Sequence, residues 1–252
     1  MINYKYFFHK CIAIISIHYC IFVKIKNMQV DFKVKMNEKL FLRNPEGTEI
    51  GKQIIKSGVT MISELGYENF NFKKLALEIG STEATVYRYF ENKHKLLIYL
   101  IDWYWAFVEF QVIFQLNNII NPAKKIRKLI DILVWADNAN TVVSELDQQS
   151  LYYIAIAEGS KTYLSKDVDS HNKEFLFKPY KDLCSRIASL FKEYNPTYKY
   201  PASLASTLVE SAHLQYYFMQ HLPRLGDYSN KKSPKEIEAF LEHLVFGVLD
   251  AA

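Results

Sequence analysis

Two short helical patterns meet at a single glycine in FKKLALEIGSTEATVYRYF, residues 72–90, and this junction restricts the fold more than any other stretch of the chain. In the first pattern Leu75, Ala76 and Ile79 make one apolar stripe behind Asn71, a residue type suited to cap a helix start. Gly80 ends that helix. Thr82 opens the next, its hydroxyl placed to accept from the backbone N–H of Ala84 or Thr85. Val86 and Phe90 stand four apart and turn inward, which leaves Glu83, Ala84, Thr85, Tyr87 and Arg88 outside. A side chain as small as Ala76 lets the two helices cross closely. Two short helices joined by a tight glycine turn form a helix-turn-helix. Upstream, Ile50, Ile54, Met61, Ile62 and Leu65 recur at helical spacing after the Asn44-Pro45 turn signal, predicting a first helix over 48–65 that Gly66 stops.

The outward face suits a polyanion. Threonine, serine and tyrosine hydroxyls bond phosphate oxygens, arginine and lysine supply charge, and aromatic faces lie against sugars or a thymine methyl. The candidate DNA-contacting residues are Thr82, Glu83, Ala84, Thr85, Tyr87 and Arg88, with Tyr89 and Lys93 just beyond them and Lys73 on the preceding helix. Bulk charge does not argue for this. The net charge of +4 is carried by Lys5, Lys10, Lys24 and Lys26, and basic and acidic residues balance from Met28 onward. The case rests on local placement.

The stretch GYENFNFKKLALEIGSTEATVYRYFENKHKLL resembles the DNA-binding domain of the tetracycline-repressor (TetR/AcrR) family of bacterial transcription regulators. Gly66, Tyr67, Gly80, Tyr87, Phe90, Lys93 and Leu96 stand where that family's pattern places them, and the resemblance covers about residues 50–97. It departs mildly: Gly80-Ser81-Thr82 replaces Gly-Val-Ser, Leu75-Ala76 replaces Ile-Ala, and Phe72 stands near a customary threonine. Glu83 occupies a position the family often uses for base contact. It reads either as an acceptor for a cytosine amino group or as a favourable charge in a helix's first turn. The resemblance implies an operator-binding regulator, usually a repressor released by a small molecule.

The remainder reads as helical, so the fold class is all-α: a three-helix DNA-binding head followed by a helical ligand-binding and dimerisation domain. The expected division is 1–47 extension and arm, 48–92 head, 93–252 helical domain. Asn92 caps a long aromatic helix, Pro122 opens another, and further helices are expected at about 144–160, 168–194, 201–222 and 233–249. Because adjacent aromatics cannot all face one core, a cavity for an apolar or aromatic effector is expected among Trp103, Phe107, Tyr152, Tyr153, His213 and Tyr217. The last two helices carry apolar faces, and a homodimer interface is expected through Leu208 and Ala212 on one and Ile237, Phe240, Leu241, Leu244 and Val248 on the other.

Enzyme signatures are weak. Glu210-x-x-His213 is half of a di-metal bundle motif, a site that needs a second Glu-x-x-His and two further carboxylates; it defines an alternative, a helical enzyme or metal protein with a helix-turn-helix used only for packing. Gly-rich phosphate loops, G-x-S-x-G and H-E-x-x-H do not occur. No catalytic residue, metal or cofactor is expected. Cys11, Cys20 and Cys184 have no metal-binding or disulfide spacing, which suits a reducing cytoplasm. The apolar run CIAIISIHYCIFV, residues 11–23, follows two lysines and reads as an uncleaved anchor, a signal peptide, or an upstream stretch ahead of a start at Met28 or Met36. The last is the expectation, and residues 1–27 are set aside from the fold. MQVDFKVKM, residues 28–36, alternates as a short strand or extended arm.

Overall fold

The computed structural model describes residues 12–16, 19–26, 29–134, 142–143 and 146–251, with side chains from Val34 onward in the same ranges. Three strands come first: β1 (Ile12–Ser16), β2 (Tyr19–Lys26) and β3 (Gln29–Val34), antiparallel in sequence order with Ile14 opposite Ile21 and Val23 opposite Phe32. β3 is the strand anticipated for residues 28–36. β1 and β2 occupy residues set aside from the fold, where the β-branched run satisfies its backbone by hairpin pairing. A two-residue strand, β4 (Val142–Val143), pairs parallel to β3.

The body is helical. α1 (Glu49–Leu65) starts at Thr48, whose hydroxyl accepts from the Gly51 N–H at 3.1 Å. Gly51 has to be glycine: a Cβ there would sit 2.2 Å from the Pro45 carbonyl oxygen. α2 (Phe72–Glu78) is capped by Asn71 through the Lys74 N–H, and α3 (Glu83–Tyr87) follows a turn in which Gly80 takes φ 61°. The Ser81 N–H closes that turn on the Ala76 carbonyl at 2.8 Å.

α4 (Lys93–Leu116) runs from the head into the middle of the protein. Every residue from Leu96 to Val112 is buried, including Asp102, Glu109 and Gln111, so this helix has no solvent face for periodicity to reveal. It is long and apolar enough to cross a membrane by composition, yet it lies enclosed by its neighbours. Around it pack α5 (Pro122–Leu133), α6 (Gln148–Glu158), α7 (Ser160–Tyr163) and α9 (Lys178–Tyr194). α9 also lies along α10 (Pro201–His221), which in turn packs against α11 (Pro234–Asp250).

The expected continuous helix over 168–194 is broken into α8 (Val168–Lys173) and α9. Pro179 sits in the first turn of α9, where its missing N–H costs nothing, and Phe175 before it takes φ 60°. Residues 144 and 145 of the expected helix over 144–160 lie outside the described residues. The rest forms α6 and α7.

Candidate nucleic-acid interface and effector region

The head presents its third helix as a polar ledge on an apolar hinge. Val86 and Phe90 are fully enclosed, as is Leu75 opposite them. Thr82 accepts from the Thr85 N–H at 3.2 Å and shares a 2.9 Å hydroxyl contact with Thr85 Oγ1. Thr82, Glu83, Ala84 and Arg88 are exposed and Thr85 is half-buried. The Tyr87 ring stands edge-on to Phe72 at 5.0 Å and keeps 46% of its surface exposed. Lys73 is exposed on α2.

Two candidates lie elsewhere. Tyr89 is 1% exposed, and its hydroxyl contacts Thr48 Oγ1 at 2.7 Å while its carbonyl accepts from the Leu42 N–H. It pins the arm and the start of α1 to the head, its side chain enclosed rather than on the α3 surface. The chain leaves α3 at Arg88, and Tyr89 then falls inward with Val86 and Phe90. The Lys93 ammonium donates to the carbonyls of Tyr67 at 3.0 Å and Phe70 at 3.2 Å and sits 4.4 Å from the Tyr67 ring centre. It closes the α1–α2 loop. Arg43, ahead of the Asn44-Pro45 turn, is an exposed cation 5.4 Å from the Tyr89 ring centre.

Of the expected effector residues, Tyr153 and Tyr217 line one cleft and the other four do not line it. Trp103 and Phe107 stack at 5.7 Å within α4, both buried. His213, 5% exposed, bonds the Tyr104 hydroxyl at 3.0 Å and stacks on Trp105 at 5.1 Å; burial lowers its pKa to about 4, so it is neutral at pH 7. Tyr152 is buried, with its ring edge-on to His213 and its hydroxyl donating to the Val134 carbonyl at 3.3 Å. Tyr153 and Tyr217 instead line an open cleft of about 380 Å³ between the end of α1, α6 and the end of α10. Consecutive rings on helices buried on several sides point to different neighbours, which separates residues that sequence spacing had grouped.

Glu210 and His213 also part company. Glu210 Oε1 accepts from the Tyr163 hydroxyl at 2.8 Å and the Tyr180 hydroxyl at 2.7 Å, while His213 faces Tyr104. Among the described residues no group of three or more His, Cys, Asp or Glu is placed to hold a metal ion.

Of the expected interface residues, Leu208, Ala212, Ile237 and Leu241 are wholly enclosed by their own chain. The cleanest apolar face of α11 is consumed by packing inside the protomer. A second stripe remains: Phe240 is 47% exposed, Leu244 and Val248 are half-buried, and Leu214 on α10 is exposed.

A helix-turn-helix head is thus continued by one long helix into an aromatic bundle. Residues 54–100 match the family described as bacterial regulatory proteins, tetR family. Residues 54–100 thus carry a tetR-family helix-turn-helix domain. No curated protein matches the chain. Among solved structures it is similar to AibR in complex with isovaleryl coenzyme A and operator DNA, at 16% identity and TM-score 0.53, over 77% of this chain and 96% of that one. A regulator from Saccharomonospora viridis in complex with choline aligns at 14% identity and TM-score 0.56, over 79% and 96%. The superantigen PfiT aligns at 13% and 0.54, over 83% and 100%. These likenesses show the fold alone, so the argument for DNA rests on the head.

Proposed function

We propose that the protein is a homodimeric, ligand-responsive repressor that acts on DNA in the cytoplasm. The observation that carries this is the α3 surface: Thr82, Glu83, Ala84, Tyr87 and Arg88 are exposed and Thr85 half-exposed over a closed apolar hinge, and α4 leads from them into the bundle without a linker. Thr85 and Glu83 read bases, while Tyr87, Arg88 and Lys73 hold phosphates. Phe240, Leu244, Val248 and Leu214 form the surface for a second copy, and two heads then meet a palindrome-like site with half-sites about 34 Å or a small multiple apart. Regulators of the same fold hold an acyl-coenzyme A and choline, which supports a small-molecule effector here.

A gel-shift titration against the DNA upstream of the protein's own gene tests the reading. A specific complex that Arg88→Ala weakens across all sequences, and whose base preference Thr85→Ala changes, is the expected result. Absence of any specific complex would sink it. Sedimentation should show a dimer at micromolar concentration, and Phe240→Asp should dissociate it and abolish operator binding together.

A further inference from the structure

The cleft between head and bundle has a chemical signature of its own. Its walls are aromatic and aliphatic: Tyr153 and Tyr216 stand 6.4 Å apart, Tyr217 and His221 4.6 Å, with Ile62 and Ile154 behind. Among the described residues that line it, Glu158 is the one carboxylate, and neither lysine nor arginine is present. That carboxylate is also the tie between bundle and head. Its Oε1 accepts from the Tyr67 N–H at 3.0 Å, across 91 residues of sequence, and its Oε2 pairs with Lys161 at 2.8 Å. Lys161 reaches on to Glu68 at 2.8 Å, so both links end on the α1–α2 loop. That loop is the one whose carbonyls hold Lys93, in the first turn of α4 directly after the recognition helix.

We propose that this cleft binds a flat aromatic cation, which stacks among Tyr153, Tyr216 and Tyr217 and competes with Lys161 and the Tyr67 N–H for Glu158. Aromatic faces attract a cation, and a carboxylate with little exposure to water strengthens the pairing. The volume suits a ligand of two or three fused rings. The energetics supply the direction of coupling. A cation that takes Glu158 must weaken the bundle's hold on Tyr67 and Glu68, so it binds more tightly to a protein whose head has shifted. The binding and the loosening belong to the free protein. Their effect on DNA rests on the regulator reading above.

N-methylquinolinium and its neutral isostere 1-methylnaphthalene probe the site in the full chain without DNA. By calorimetric or NMR titration the cation should bind about tenfold more tightly than the hydrocarbon. Glu158→Gln keeps an acceptor for the Tyr67 N–H but should erase the difference, and Tyr217→Ala should weaken both probes. Lys161→Met should tighten cation binding, an opposite sign that no loss of folding can imitate. Hydrogen exchange at the Tyr67 amide should accelerate when the cation binds. Equal affinity for the two probes, no binding at millimolar concentration, or a Tyr67 amide unmoved by a bound cation would each overturn the proposal. Failure of the regulator reading shows separately, as a protein that passes these tests yet makes no specific DNA complex.

Discussion

The head and the bundle solve the same problem, satisfying polar groups next to an apolar core, at different ranges along the chain. Around the helix-turn-helix the helix caps are local: Asn71 serves the Lys74 N–H, Thr82 the Thr85 N–H and Asn92 the Lys95 N–H, each three residues away. The bundle's buried polar groups are met from a distance. Arg186 pairs with Glu109 across 77 residues, Tyr104 with His213 across 109, and Tyr163 with Glu210 across 47. Local satisfaction lets short helices keep one exposed polar face, which a reading head needs. Distant satisfaction ties buried helices to one another and consumes the polar groups that do it. The lesson is that the head leaves the polar face of α3 exposed, while buried polar groups of the bundle such as Glu109, Tyr104 and His213 are tied up by distant partners.

The largest expected effect tests the head's apolar hinge. Phe90 is fully buried, packed edge-on against Tyr99 at 5.5 Å, and Phe90→Ala should cost about 3–5 kcal/mol through the cavity it leaves. Urea unfolding measures it. A loss under about 1 kcal/mol, below the range for truncating a buried ring, would mean the head does not depend on this hinge.

Removing one partner of the bundle's buried ion pair comes next. Glu109 is 2% exposed, and Arg186 reaches it with both Nε and Nη2, at 3.2 and 3.0 Å. Burial raises the Glu109 pKa, and the guanidinium offsets part of that rise. Arg186→Ala should cost about 3 kcal/mol at pH 7, the lower end for an orphaned buried charge because Arg186 itself is partly exposed. With the folded pKa raised further in the variant, the penalty is complete above that value and vanishes as both states protonate below the ordinary carboxylate range. The deficit in urea unfolding should therefore shrink between pH 7 and pH 4. A deficit that grew on acidification would reverse the assignment.

The same difference in range explains what the sequence disclosed. Caps at Thr48, Asn71, Thr82 and Asn92 and the glycine turn at Gly80 act over three or four residues, so helix starts and the exposed face of α3 could be read directly. Tyr89 and Lys93 escaped because their partners, Thr48 and the carbonyls of Tyr67 and Phe70, come from other elements. The neighbours of the bundle's aromatic rings were less legible. α4 is buried on all sides, and nothing in its periodicity separates Trp103, which stacks on Phe107, from Tyr104, which meets His213. The apolar stripe of α11 was legible as a stripe but not as one already used by its own protomer.

Lys93 marks the boundary between the two modes. Its ammonium faces two carbonyls, and Lys93→Ala should cost about 1.5 kcal/mol, the low end for hydrogen bonds from a charged group at a half-buried site. The slope of operator affinity against salt should stay as it is, whereas Arg88→Ala should reduce it by about one unit. A Lys93→Ala slope lowered as much as that of Arg88→Ala would return this residue to the DNA-facing group and weaken the division between the two regions.

The smallest effect isolates local satisfaction itself. Thr82 is exposed, makes no contact with the bundle among its hydrogen bonds, and holds the Thr85 N–H and Thr85 Oγ1 within its own turn. Thr82→Ala should cost about 1 kcal/mol, the ordinary value of an N-cap. Thr82→Ser keeps the accepting oxygen and should recover most of it, while Thr82→Asp should recover the cap yet repel phosphate. Stability and operator affinity then move apart: the aspartate variant is as stable as the serine variant and binds DNA more weakly. If all three variants followed one line of affinity against stability, Thr82 would be a cap alone, and the polar ledge of α3 would begin at Glu83.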